Sequence, residues 1–290
     1  MHPNEIKALL NLLDDPDENI YHEVRNRFLE LGNEVIPYLE NLWETSYEPI
    51  IQERVESIIH ELQIRQTKKK LKDWLESSDK SLVKGALAFA NYQYPDIEED
   101  EIFKTLQAIT KDVWVELNPN QTALEKVKII NHILFNTYKF SSDKKDIYNP
   151  KNFFINKVFE LKKGNPITLG IIYLEICSRL NIPVYGVNLP RHFVLAYTNR
   201  QQLFEDKPEF TQEDILFYIN PFFRGFVFQK EEIDKYLKQL NIEPKPEYYL
   251  PCSNTTIIYT LIDELKNVYD KMGEKEKVEE LNDILALFNL

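Results

Sequence analysis

Apolar residues recur at helical spacing through the first hundred positions: Ile6, Leu9, Leu10 and Leu13, then Ile20, Val24, Phe28 and Leu31, then Val35, Ile36, Leu39, Leu42 and Trp43. Asp15-Pro16-Asp17 separates the first two runs, and Gly32-Asn33 supplies the left-handed-tolerant residues that end the second. The pattern predicts further helices over 49–62, 67–75, 82–90 and 102–117, with an acidic loop at 96–101. That loop lacks a turn glycine and the ligand spacing of a hard-metal site, so it is read as a solvated segment.

From residue 121 the chain predicts a helix (Leu124, Val127, Ile130, Leu134), a polar loop over 141–150, a helix over 152–161 and another that opens at Asn165-Pro166. The period then changes from 3.6 to 2. Short aromatic and β-branched runs at 184–187, 192–197, 202–205 and 215–219 have the character of a small antiparallel sheet. Helical spacing returns at 231–240, and a Pro-rich linker at 244–251 leads to two helices, 256–271 and 274–288, joined at Gly273. The expected class is α+β, predominantly α. Three regions are expected: a helical 1–118, a mixed core 119–243, and a linker with a helix pair at 244–290. The stretch 17–43 resembles a HEAT-type helix pair and the last two helices a single tetratricopeptide-type unit. Either could present a binding face or simply pack for stability.

Composition narrows the functional classes. Hydrophobic residues make up 43% of the 290, which supports a folded core, while only 7 glycines and no Gly-rich phosphate motif disfavour nucleotide-loop architectures. A net charge of -12 argues against non-specific binding to nucleic acid, because such binding depends on Lys and Arg displacing counterions. The basic cluster at 68–72 reads as the wet face of a helix. Two cysteines, Cys177 and Cys252, fit a reducing compartment. With no basic leader at the start and no apolar run of about 20 residues, the expected location is cytoplasmic and away from membranes. The histidines His2, His22, His60 and His132 lack metal-ligand spacing, so no metal or other cofactor is expected.

Four blocks carry a more specific signal: Asn152-Phe153-Phe154-Ile155-Asn156-Lys157-Val158, Gly164-Asn165-Pro166-Ile167-Thr168-Leu169, Gly186-Val187-Asn188-Leu189-Pro190-Arg191-His192-Phe193, and Ile219-Asn220-Pro221-Phe222. In order and spacing they resemble the bacterial SirB-type transglutaminase-like family, whose domain is carried among helical repeats. The resemblance implies a papain-like core: a helix whose N-terminus abuts a sheet, a His on one strand and Asp or Asn on the next. In active relatives the nucleophilic Cys stands two residues after a Gly and opens a helix that ends fifteen residues later at a Gly-Ile-Pro-like turn. Here Gly164 plus two is Pro166, and fifteen further on stands Asn181-Ile182-Pro183. The registry implies that His192 takes the place of the base and Asn220 that of the orienting residue, usually Asp. Arg191 replaces the usual Gly of a Pro-Gly-His-Phe turn.

Residue chemistry agrees. Asn165 suits an N-cap and Pro166 the first helical position, where its missing N–H would be unpaired anyway. Proline, however, offers neither a nucleophile nor an amide for an oxyanion site. Thr168 lies about 200° around the helix from residue 166, which makes it a cap-region hydroxyl. Cys177 lies about 16 Å deeper among apolar neighbours, as a buried thiol would. Cys252 could reach the centre only if the chain folds back. His192 is either half of a hydrogen-bonded pair with Asn220 lining a cleft or a packed structural residue. Residues Asn152, Asn165, Thr168, Arg191, His192, Asn220 and Phe222 are the ligand-facing candidates, over a degenerate triad of Pro166, His192 and Asn220. The expected function is non-catalytic: a module that binds a protein, a peptide or a small ligand. The alternative is a hydrolase or acyltransferase that uses His192 and Asn220 with a displaced nucleophile.

Overall fold

A computed structural model of the protein describes residues 3–200 and 210–288. The chain divides into two compact units: Met1–Lys70 with Asn91–Pro95, and Leu71–Ala90 with Asp96–Leu290. The expected strand at 202–205 lies outside the described residues.

The first unit holds α1 (Pro3–Leu10), α2 (Glu18–Leu31), α3 (Ile36–Thr45) and most of α4 (Pro49–Glu76). Asp17 caps α2 by accepting from the Asn19 N–H, and Gly32, at φ 74°, ends it by donating to the Phe28 carbonyl. The apolar stripes converge as their spacing requires, with Ile6, Leu13, Val24, Phe28, Val35, Leu39, Val55, Ile58 and Leu62 forming one core. Buried Arg54 ties that core to the chain before α2, donating to the carbonyls of Leu13 and Asp15 and to the carboxylate of Glu18.

In the second unit, α5 (Leu82–Ala90), α6 (Glu99–Glu116), α7 (Ala123–Asn131), α8 (Ile155–Leu161) and α9 (Pro166–Arg179) precede the sheet. Two short strands, β1 (Ser141–Ser142) and β2 (Lys163–Gly164), pair in parallel just before α9. The main sheet is an antiparallel meander of β3 (Val184–Leu189), β4 (His192–Thr198), β5 (Ile215–Asn220) and β6 (Phe226–Phe228), in chain order. Then come α10 (Lys230–Gln239), α11 (Asn254–Met272) and α12 (Lys275–Leu285), with Gly273 at φ 80° between the last two.

Helix α9 is the axis of this unit: every residue from Pro166 to Cys177 is buried. One face of the sheet lies on it, and Gly170 allows the close approach, because a Cβ there would stand 2.5 Å from the Phe193 ring. On the other face Val187, Val194, Ala196 and Tyr218 pack with Ile233 and Leu237 of α10. Burial on both faces explains why β4 reads as nearly continuous apolar sequence. No helix among the described residues is long and apolar enough to cross a membrane, and no cluster of His, Cys, Asp or Glu among them could hold a metal ion.

Candidate functional site

The head of α9 is built by a connected set of hydrogen bonds, within which the buried Asn165 Nδ2 finds no partner among the described residues. The Asn165 side-chain oxygen accepts from the Thr168 N–H at 2.8 Å, and the Thr168 hydroxyl accepts from the Asn165 N–H at 3.1 Å, forming a reciprocal cap. The same hydroxyl donates to the Asn152 carbonyl at 2.9 Å. Asn152 in turn donates its amide to the Asp146 carbonyl at 2.8 Å, fastening the polar loop after β1 to this point. Gly164 is needed here because a Cβ would meet the Thr168 hydroxyl at 2.7 Å. Pro166 follows, buried at the first helical position.

The second group lies on the sheet. β3 and β4 are joined by the two-residue turn Pro190-Arg191, with Leu189 opposite His192. Arg191 takes φ 61°, the left-handed region where the related turn has Gly, and its side chain is exposed. His192 is half-buried, and its Nε2 lies 3.0 Å from the Asn220 side-chain nitrogen. Asn220 ends β5 and caps the short 3₁₀ turn Pro221–Phe223, accepting from the Phe223 N–H at 3.3 Å. With its oxygen so engaged, its NH₂ faces the ring, so Nε2 accepts and the proton sits on Nδ1. Phe222 meets the imidazole edge-on at 6.5 Å, and Tyr236 of α10 lies against it at 6.2 Å. Burial pushes the His192 pKa below the ordinary imidazole value.

The candidate residues thus separate into two sets. Asn152, Asn165 and Thr168 are buried and committed to one another, so they position α9 and do not reach solvent. Arg191, His192, Asn220 and Phe222 gather around the imidazole. Neither cysteine supplies a nucleophile in this arrangement. Cys177 is buried within α9, which pushes its thiol far above the ordinary range. Cys252 donates to the Gly186 carbonyl at 3.3 Å, and burial pushes its pKa up to about 12. Among the described residues no thiol or hydroxyl hydrogen-bonds to the His192 ring.

One neighbour of the imidazole, Tyr236, and one group that acts on it, Glu264, carry no mark in the sequence. The Tyr236 hydroxyl donates to the Pro190 carbonyl at 2.9 Å, bracing the turn that carries Arg191. Glu264 of α11 exerts its charge on Tyr236; burial pushes its pKa up to about 7, with a smaller push from Asp263 and an opposing pull from Lys271. Both sit on amphipathic helices, where nothing in the local pattern singles them out.

A buried helix whose capped head abuts a β-meander, with His on one strand and Asn on the next, defines a papain-like frame, and Pro166 stands at the head of that helix. Comparison with known families agrees: the Transglutaminase-like superfamily matches residues 100–263, more than half of the chain, and the chain belongs to that superfamily. Bacterial relatives include a UPF0162 protein of Xylella fastidiosa, 27% identical over 194 residues, covering 65% of this chain and 64% of the relative. A UPF0162 protein of Vibrio cholerae is 24% identical over 189 residues, covering 64% and 65% respectively. The chain therefore spans just under two thirds of the length of these relatives. A shorter match, 34% over 68 residues, is to the F-box only protein 21 of Mus musculus, covering 23% of this chain and 11% of that protein. No solved structure matches.

Proposed function

We propose that the protein is a non-catalytic, SirB-type member of the superfamily that binds a protein or peptide, or failing that a small ligand, through the surface around Arg191, His192, Asn220 and Phe222. The observation that carries this reading is Pro166 at the position where thiol chemistry requires sulfur, in a frame whose His192–Asn220 pair is formed. A cytoplasmic setting fits the two unpaired cysteines. The excess of acidic residues makes nucleic acid an unfavourable partner.

The alternative, a hydrolase or acyltransferase, has one observation on its side: burial keeps the His192 ring neutral near pH 7, the state a general base needs. Against it, Thr168, Cys177 and Cys252 are all engaged or buried elsewhere. Treatment with a thiol-directed activity probe, together with amidase and transglutaminase assays, separates the two. The binding reading expects neither labelling nor turnover. Activity that disappears in His192→Ala overturns it.

A further inference from the structure

We infer that the groove between α3 and α4 is a docking site for a basic segment of a partner protein, with an Arg or Lys side chain seated against the indole of Trp43. This inference is independent of the surface around His192.

The groove has a volume of about 470 Å³ and is walled by Glu40, Trp43 and Glu44 on one helix and by Glu56, Ile59 and His60 on the other. Each trio stands at i, i+3 and i+4, so each presents a single face to the space between the helices. The Trp43 indole N–H donates to the Glu56 carboxylate at 2.8 Å, which fixes the ring, while 41% of the residue remains exposed. Among the described residues, none of the three carboxylates takes part in an ion pair. No Lys or Arg lines the groove.

A solvated helix face explains scattered carboxylates but not an indole held open beside them. An exposed aromatic face flanked by unpaired anions is complementary to a guanidinium or ammonium, which gains both the ring's quadrupole and charge-assisted hydrogen bonds. A bare cation would satisfy the carboxylates alone. The turn end of the pair also exposes Tyr47, at 93%, and Ile50, apolar surface that a peptide backbone with neighbouring side chains would cover and a small polyamine would not. The complementarity therefore favours a basic peptide segment with apolar residues beside its cation.

The test is a titration of the full chain with a short acetylated and amidated peptide of Arg, Lys and Leu, following the Trp43 indole N–H resonance, assigned by its loss in Trp43→Phe. A saturable shift is expected, weaker at higher salt and absent with a counterpart in which Glu replaces Arg and Lys. In the combined variant Glu40→Gln, Glu44→Gln, Glu56→Gln the affinity should fall by about tenfold or more, since the amide introduced at position 56 still accepts from the indole but the charges are gone. If that variant melts early, Glu44→Gln alone, at an exposed position, should show a smaller loss in the same direction. No shift, an equal response to the acidic peptide, or unchanged affinity in the Gln variants overturns the inference. Spermidine binding as tightly as the peptide overturns the assignment to a protein segment. A shift that follows the concentration of the protein itself, with no peptide present, overturns it in favour of self-association.

Discussion

Asn220 meets His192 with its nitrogen, not its oxygen: the amide NH₂ lies 3.0 Å from Nε2 while the amide oxygen accepts from the Phe223 backbone. The imidazole is thereby held as the neutral Nδ1–H tautomer. An imidazolium would require the amide to turn over and abandon Phe223.

The lowered folded-state pKa of His192 means that the ring favours folding fully only above the ordinary imidazole value, and that this contribution fades as the pH falls through the folded value. Its side-chain resonances should therefore titrate below about 6.5, where an unperturbed imidazole does so. In Asn220→Asp, a carboxylate beside the ring should raise that midpoint by about 1 unit or more. A midpoint unmoved by this change would mean that the pair does not form in solution.

A sulfur placed at the head of α9 should be a reactive thiol. Pro166→Cys places the thiol at the first position of α9, where the helix N-terminus favours the thiolate, and an imidazole within reach of it would add to that effect. Iodoacetamide should label this variant well below about pH 8, under the range in which an ordinary thiol reacts, and labelling should slow markedly when His192→Ala is added. Equal rates with and without the imidazole would separate the two groups in space.

At the β3–β4 turn, Arg191→Gly should stabilise the protein by about 0.5–1 kcal/mol, because relief of left-handed strain at φ 61° outweighs the added chain entropy of Gly. Urea unfolding measures this directly. A loss of stability would show that the arginine side chain makes contacts worth more than the strain.

Thr168→Val keeps the shape but strips the hydroxyl that accepts from the Asn165 N–H and donates to the Asn152 carbonyl. Two buried polar groups are left without a partner, so a loss of about 1–3 kcal/mol is expected in chemical denaturation. If that hydroxyl were instead a cleft group, stability would barely change.

Glu264 sets an opposite pH dependence. Its folded-state pKa, about 7, lies above its unfolded value, so it favours folding fully below the unfolded pKa and ceases to do so as the pH rises through about 7. Glu264→Gln should therefore raise the melting temperature relative to the wild type at about pH 8, by a change worth about 1–2 kcal/mol after allowing for its partial exposure. The advantage should shrink or vanish near about pH 4, where a free carboxyl is itself half protonated. A pH-independent difference would place the carboxylate in water.

Much of this molecule was legible from residue spacing. The helix expected at 82–90 is α5, the Gly273 junction lies where the period breaks, and the four blocks carrying the family resemblance contain both halves of the imidazole–amide pair. The expected break between 62 and 67 is absent: α4 runs unbroken from Pro49 to Glu76. Polar residues at 63, 65 and 66 imitate a loop, yet no Gly or Pro interrupts them, and buried Thr67 and Leu71 keep the helical register. The acidic stretch at 96–101 is likewise partly helix, with Glu99, Asp100 and Glu101 in the first turn of α6, where the helix dipole favours negative charge. Tyr236 was invisible for a different reason. It sits 44 residues beyond His192 on an ordinary amphipathic helix, and only the docking of α10 on the sheet brings their rings together.

The far edge of β3 is not free. The carbonyl of Gly186 accepts from both the N–H and the thiol of Cys252, and the Asn188 amide reaches the Thr260 hydroxyl at 2.9 Å. The C-terminal segment thus closes the side of the meander on which an extended foreign strand could otherwise zip on. A strand could join the sheet at β3 only after the chain from Cys252 onward had been peeled away.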